Sequence, residues 1–224
     1  MENYYSYESS RNGSLTKVFG YMFLGFLVSA LSAYGLYYLL INGTMDISSY
    51  GAITIFASIT LIVLIFVSQY YCLRNKQGGM LTYILYTLCM GILLSSIMLT
   101  YSLKFLGFVF MCTGGSFGVM ALYGLLTKRD TGSLGMFGLG GLFGIMTLSL
   151  VNIFLRSEGI YYLISYIGLA SMLAITAYDI NRIKHLSSSG FMNEGMAIYM
   201  ALQLYTDFIY IFIRMAILIG RRRD

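Results

Sequence analysis

Apolar residues run along this chain in long stretches, and most of the charged residues gather in the short gaps between them. Seven such stretches fall near 18–41, 51–72, 80–101, 105–126, 133–155, 160–181 and 196–219. Each approaches the roughly 20 residues that a helix needs to cross about 30 Å of hydrocarbon, at about 1.5 Å per residue. In lipid only helices or closed barrels satisfy every backbone group, and barrel strands would alternate apolar with polar positions. The pattern predicts an all-α, polytopic membrane protein, a bundle of seven transmembrane helices forming one membrane domain over residues 1–224.

Composition agrees with that class. The chain is 58% hydrophobic and 10% charged, against roughly 25% charged in soluble domains, so a soluble globular function is excluded. The opening segment MENYYSYESSRNGSLTK is polar and mixed in charge; it does not resemble a cleaved secretory signal, and the first span is expected to stay in the mature protein. One set of connectors carries Arg11, Lys17, Arg74, Lys76, Lys128, Arg129, Arg182 and Lys184, whereas the alternate set carries Lys104 and Arg156. The positive-inside rule then puts the N-terminus in the cytoplasm. Seven full spans carry Arg221, Arg222 and Arg223 to the outside, unless the last span re-enters. The net charge of +5 belongs to these connectors and speaks for topology rather than for nucleic acid. The expected location is a prokaryotic plasma membrane.

Nine residues are acidic, and seven of them (Glu2, Glu8, Asp46, Asp130, Glu158, Glu194 and Asp224) fall in tails or connectors. Asp179 and Asp207 do not: they stand in the sixth and seventh stretches. An ionised carboxylate at the centre of a membrane helix costs about 2.5–3.5 kcal/mol on insertion scales. The connector Ser187-Ser188-Ser189-Gly190 makes these two spans an antiparallel hairpin. With turns near 186 and 196, the two aspartates differ in depth by about one helical turn, within the reach of a modest tilt. Carboxylates about 4 Å apart repel by about 4 kcal/mol at an effective dielectric near 20. Such a pair shares a proton and titrates in two separate steps, or it holds a divalent cation. Calcium takes six to eight oxygens, and Tyr178, Tyr205, Thr206 and Tyr210 are nearby candidates to supply some of them. Two plainer readings stand beside this one. Asp179 could meet Arg182 at a helix end, and Asp207 could pair with Arg214, about 10 Å along the same face, unless Arg214 snorkels outward.

The remaining chemistry is sparse. The chain has no proline, which removes proline kinks as a gating device. Glycine is densest between 114 and 144, where Gly114 with Gly118 and Gly140 with Gly144 have the spacing that lets membrane helices approach closely. Spans four and five are therefore expected to form a tightly packed scaffold. Gly114 to Gly118 also fits G-x-S-x-G, but the motif lies in an apolar helix and the sole histidine, His185, falls in a connector. Cys72, Cys89 and Cys112 show no metal-ligand spacing and read as buried free thiols.

Three stretches carry a family resemblance: Tyr123-Gly124-Leu125-Leu126-Thr127-Lys128-Arg129-Asp130, Ala177-Tyr178-Asp179, and Ala201 through Ile209 (ALQLYTDFI) followed by Phe212. In these the chain resembles the Bax-inhibitor family, the transmembrane Bax inhibitor motif proteins, of the bacterial type. The resemblance implies a seven-helix fold with the last helix central. It further implies a pH-sensitive calcium leak through paired aspartates corresponding to Asp179 and Asp207. Tyr210 stands where the family often has Asn, and the second span lacks the charged residues often found there.

Three functional classes follow: a pH-gated leak for calcium or another cation, a proton-coupled cation exchanger, and a membrane regulator that binds other proteins. Tyr178-Asp179 is also similar to the first motif of intramembrane aspartyl proteases, but Tyr205-Thr206-Asp207 lacks their Gly-x-Gly-Asp and there is no proline for their later motif. No enzyme activity and no organic cofactor are expected. Calcium and protons are the expected ions, the bilayer is the expected surroundings, and protein partners stay open.

Overall fold

A computed structural model describes the backbone of residues 2–74, 76–189 and 191–220, and the side chains of 13–72, 77–189 and 191–220. The described residues form seven helices and no strand: α1 Glu2–Ile41, α2 Ile47–Arg74, α3 Lys76–Thr100, α4 Leu103–Leu126, α5 Gly132–Leu155, α6 Glu158–Ser188 and α7 Glu194–Gly220. Each includes a segment long and apolar enough to span a membrane, the shortest being the 24-residue spans of α3, α4 and α5. The chain is thus an integral, multi-pass membrane protein. The arginines of the C-terminal tail, on which its sidedness turned, lie outside the described residues.

Local chemistry ends the helices. After α1, Gly43 takes the left-handed φ of 69°. Its N–H bonds Leu40 O at 3.2 Å while the Thr44 N–H bonds Leu39 O at 3.1 Å, which closes the helix with a Schellman motif. Arg156 stops α5 with φ 49°, and the Asn152 side chain accepts the next N–H, from Ser157, at 2.9 Å. Asn193 caps α7 by accepting the Met196 N–H at 2.7 Å. The sixth helix continues past the apolar stretch that ends near 181 and runs to Ser188, close to the turn expected near 186. Arg182, Lys184 and His185 therefore belong to its last turns, where basic groups suit the negative end of the helix dipole.

The chain divides into two compact units, residues 1–103 with 186–205, and residues 104–185 with 206–224. In the first, α3 packs against both α1 and α2. The backbone at Gly91 approaches Ser29 and Ser32 so closely that no side chain fits, and Ser32 Oγ donates to Leu88 O at 3.2 Å. Tyr83 Oη donates to Tyr21 O, and Tyr50 Oη meets Ser95 Oγ at 3.1 Å. The first turn of α7 joins this unit at two places. Gly195 lies against Cys72 O, and Glu194 meets Lys17 Nζ at 3.8 Å. Cys72 and Cys89 are buried free thiols as expected, whereas Cys112, in the second unit, is a free thiol that is only half-buried.

In the second unit the glycines pack differently from the expectation. Gly114, Gly118, Gly140 and Gly144 face open space. The close approaches converge on α6 instead. A methyl group on Gly135 would stand 2.9 Å from the Tyr178 ring, one on Gly138 would stand 2.8 Å from Ser171 O, and one on Gly124 would stand 2.5 Å from Ala177 O. Glycine spacing marks a helix that can pack closely without saying which face does so, and here α4 and α5 both present their bare backbone to α6. Ser116, the serine of the G-x-S-x-G match, donates to Cys112 O at 3.0 Å within α4. That is an ordinary helical back-bond, with no strand-turn-helix elbow.

Gly138→Val should lose about 1–3 kcal/mol by overpacking and melt several degrees lower in detergent, whereas Gly114→Val should melt close to the parent. Equal melting of the two variants would remove α6 as the close-packed helix.

Candidate functional site: a carboxyl pair between the last two helices

Helix α6 carries three stripes. Ser171, Ile175 and Tyr178 meet the glycine face of α5, and Ala177, Ile180, Asn181 and Lys184 meet the end of α4 and the connector after it. Gly168 and Asp179, eleven residues or about three turns apart, meet Tyr210 and Asp207 of α7. Asp179 and Asp207 are buried, 4% and 6% exposed, and their carboxyls are neighbours, each acting on the other.

Asp179 lies nine residues before the end of α6 and Asp207 thirteen after the start of α7, so their depths differ by about 6 Å. Every Cα–Cβ bond tilts toward the N-terminus of its own helix. In this antiparallel pair the tilt carries Asp179 inward and Asp207 back toward the turn, which closes the gap. A carboxylate has no proton to donate, so the pair bonds only while one member is protonated. Asp207 Oδ2 is buried without a hydrogen-bond partner. The arrangement therefore offers one proton position and one unused acceptor oxygen, which is what a proton or a cation would need.

Arg182 is exposed, and its charge acts on Asp179 through space. Arg214 lies with its guanidinium 5.1 Å from the centre of the Tyr210 ring. No ion pair joins Arg214 to Asp207 among the described residues.

The hydroxyl groups named from sequence divide. Tyr210 shares the α6–α7 seam, with its hydroxyl against Gly168. Tyr178 lies against Gly135 and borders a groove of about 450 Å³ with Asp130, Ser133 and Met136. Tyr205 belongs to the first unit, among the rings of Phe26, Tyr83 and Tyr86 at centroid distances of 5.5, 6.4 and 6.3 Å. Thr206, the residue before Asp207, is half-buried. Among the described residues no three His, Cys, Asp or Glu side chains gather as a metal cluster. A cation at the pair would thus draw on the two carboxyls and on hydroxyl, carbonyl or water oxygens.

One element of the site escaped the sequence reading. Asn181 is buried and ties α6 to its neighbours through both ends of its amide. Its Nδ2 donates to Gly124 O at 3.0 Å, and its Oδ1 accepts from Thr131 Oγ1 at 3.0 Å. One turn on, Lys184 Nζ donates to Thr127 O at 2.9 Å. These bonds hold α6 beside Asp179 on the side away from α7. The available signal was an amide two positions after an intramembrane acid, at the end of the sixth apolar stretch.

Asn181→Ala leaves the Gly124 carbonyl and the Thr131 hydroxyl without this partner and should cost about 1–3 kcal/mol. Asn181→Asp should cost more, because it loses the donor and adds a charge near the pair. Thermal unfolding in detergent reads both, and two unchanged midpoints would show that the clamp contributes nothing.

Comparison with known proteins agrees with this architecture. The family described as inhibitor of apoptosis-promoting Bax1 matches residues 11–224. An uncharacterized protein of Borreliella burgdorferi is 33% identical, covering 96% of this chain and 94% of that protein. The inner membrane protein YbhL of Escherichia coli K12 is 30% identical over 93% of this chain and 92% of its own length. A membrane protein of Streptococcus pyogenes serotype M1 is 29% identical over 94% and 93%. With a family match running from the first span to the C-terminus and bacterial relatives aligned along almost their whole length, this seven-helix membrane protein belongs to the Bax inhibitor family.

Proposed function

We propose that the protein is a pH-sensitive leak pathway for calcium or a similar cation, with Asp179 and Asp207 as its proton sensor and ion site. The observation that carries this reading is the buried carboxyl pair, whose second member keeps an acceptor oxygen unused inside a membrane span. Intramembrane acids are rare and mark proton or ion pathways. Protonation and cation binding are competing ways to relieve the same repulsion, so a pathway through the pair responds to pH by construction. The oxygens at hand are fewer than calcium's usual six to eight, which suits passage better than storage. By the distribution of Lys and Arg, the α6–α7 turn lies on the cytoplasmic side together with the N-terminus.

A proton-coupled exchanger would use the same carboxyls and would respond to an opposing proton gradient, which a passive leak does not require. A regulator that only binds other proteins is set apart by Asp207→Ala: a variant that spares partner binding but abolishes ion flux speaks for the leak.

Calcium entry into liposomes containing the purified chain, followed from about pH 5 to pH 8 across the carboxylate and histidine range, tests the proposal. Asp179→Asn and Asp207→Asn should each move the midpoint of the pH profile, and Asp207→Asn should lower the flux on the order of tenfold. Unchanged profiles in both variants would remove the sensor.

A further inference from the structure

The charge inventory of α7 is short. Between Glu194 at its start and Gly220 at its end, its ionisable acidic and basic residues are Asp207 and Arg214. Seven residues apart, the two occupy one face, Arg214 about 10 Å further along the axis. Tyr210 lies between them on nearly the same face. Its ring underlies the Arg214 guanidinium at 5.1 Å from the centroid. Its hydroxyl closes against Gly168 of α6, where even a methyl group would stand 2.8 Å from the oxygen. The stack thus rests on the same α6–α7 seam that holds the carboxyl pair. Arg214 is half-buried and guanidinium is permanently charged, so this part of the seam keeps a cation of its own.

Two turns toward the α6–α7 connector lies the carboxyl pair, whose Asp207 Oδ2 has no hydrogen-bond partner. A fixed positive charge thus stands on the same helix face as the acidic pair. We infer that Arg214, held on Tyr210, is a specificity-determining residue that acts as a tethered competitor of the permeant cation. Its charge weakens cation binding at Asp207 and opposes entry from the α7 C-terminal side.

A divalent ion at the pair feels twice the repulsion of a monovalent one at the same distance, so the stack discriminates most strongly against calcium and sets how leaky the pathway is. Tyr210 supplies the flat, electron-rich face that keeps the guanidinium in place. An amide at that position could hydrogen-bond the arginine without stacking it. The inference rests on Asp207 being the ion site proposed above.

Its test is calcium binding by the full chain in detergent, measured by equilibrium dialysis, which needs no conduction. Arg214→Gln should bind calcium roughly tenfold more tightly than the parent, Arg214→Lys should bind like the parent, and the gain should vanish in Arg214→Gln combined with Asp207→Asn. Arg214→Met, uncharged and unbranched, carries the same expectation as Arg214→Gln should the latter fold poorly. Parent-like or undetectable binding in the uncharged variants overturns the inference, as does a gain that survives the loss of Asp207. Flux into liposomes reads the leak proposal separately, so either idea can fail alone.

Discussion

Two carboxyl groups, each on a membrane-spanning helix and each turned away from water, must accommodate one another. Both cannot be charged side by side in a weakly polar interior without a cost of several kcal/mol. On the proposed reading a proton or a cation is part of the arrangement. That requirement gives the α6–α7 seam its chemistry and gives the surrounding contacts their significance. The bare faces of α4 and α5 bring their backbones against α6, and Asn181 and Lys184 tie the same helix to the connector between them. Helix α6 is thereby held on two sides, and Asp179 is presented on a third.

Helix α7 contributes differently along its length. Its residues up to 205 belong to one compact unit and those from 206 to the other, so Tyr205 and Asp207, two positions apart, have different neighbours. In the first unit Tyr205 is surrounded by aromatic rings and leaves its hydroxyl without a hydrogen-bond partner. In the second, Phe208 meets the rings of Phe110 and Phe117 tilted and edge-on, at centroid distances of 5.2 and 5.5 Å, while Asp207 turns to Asp179. The family motif that runs through these residues is therefore a mixture. Some positions fill space between rings, and one carries the charge.

Departures from the family pattern acquire a physical sense here. At the position where the resemblance implies Asn, Tyr210 offers a ring, and the arginine one turn later uses it. The second span, free of charged side chains between 51 and 72, places no cation of its own in the first unit's membrane interior. Arg214 is the basic residue that α7 carries between Glu194 and Gly220.

Composition and spacing alone determined that this chain is a seven-span membrane protein and that Asp179 and Asp207 are the acids needing an explanation. Both conclusions depend only on what lipid excludes: long apolar runs must be helices, and a charge within one must have a reason. Which glycines pack, where Tyr178 and Tyr205 lie, and whether Arg214 reaches Asp207 or Tyr210 were decided by tertiary structure. A membrane helix is apolar on nearly every side, so its sequence periodicity hardly distinguishes the face toward lipid from the face toward a neighbour. The rotation of α4 and α5, settled by close packing against α6, chose the glycines, and the neighbours of each tyrosine and of Arg214 made the other choices.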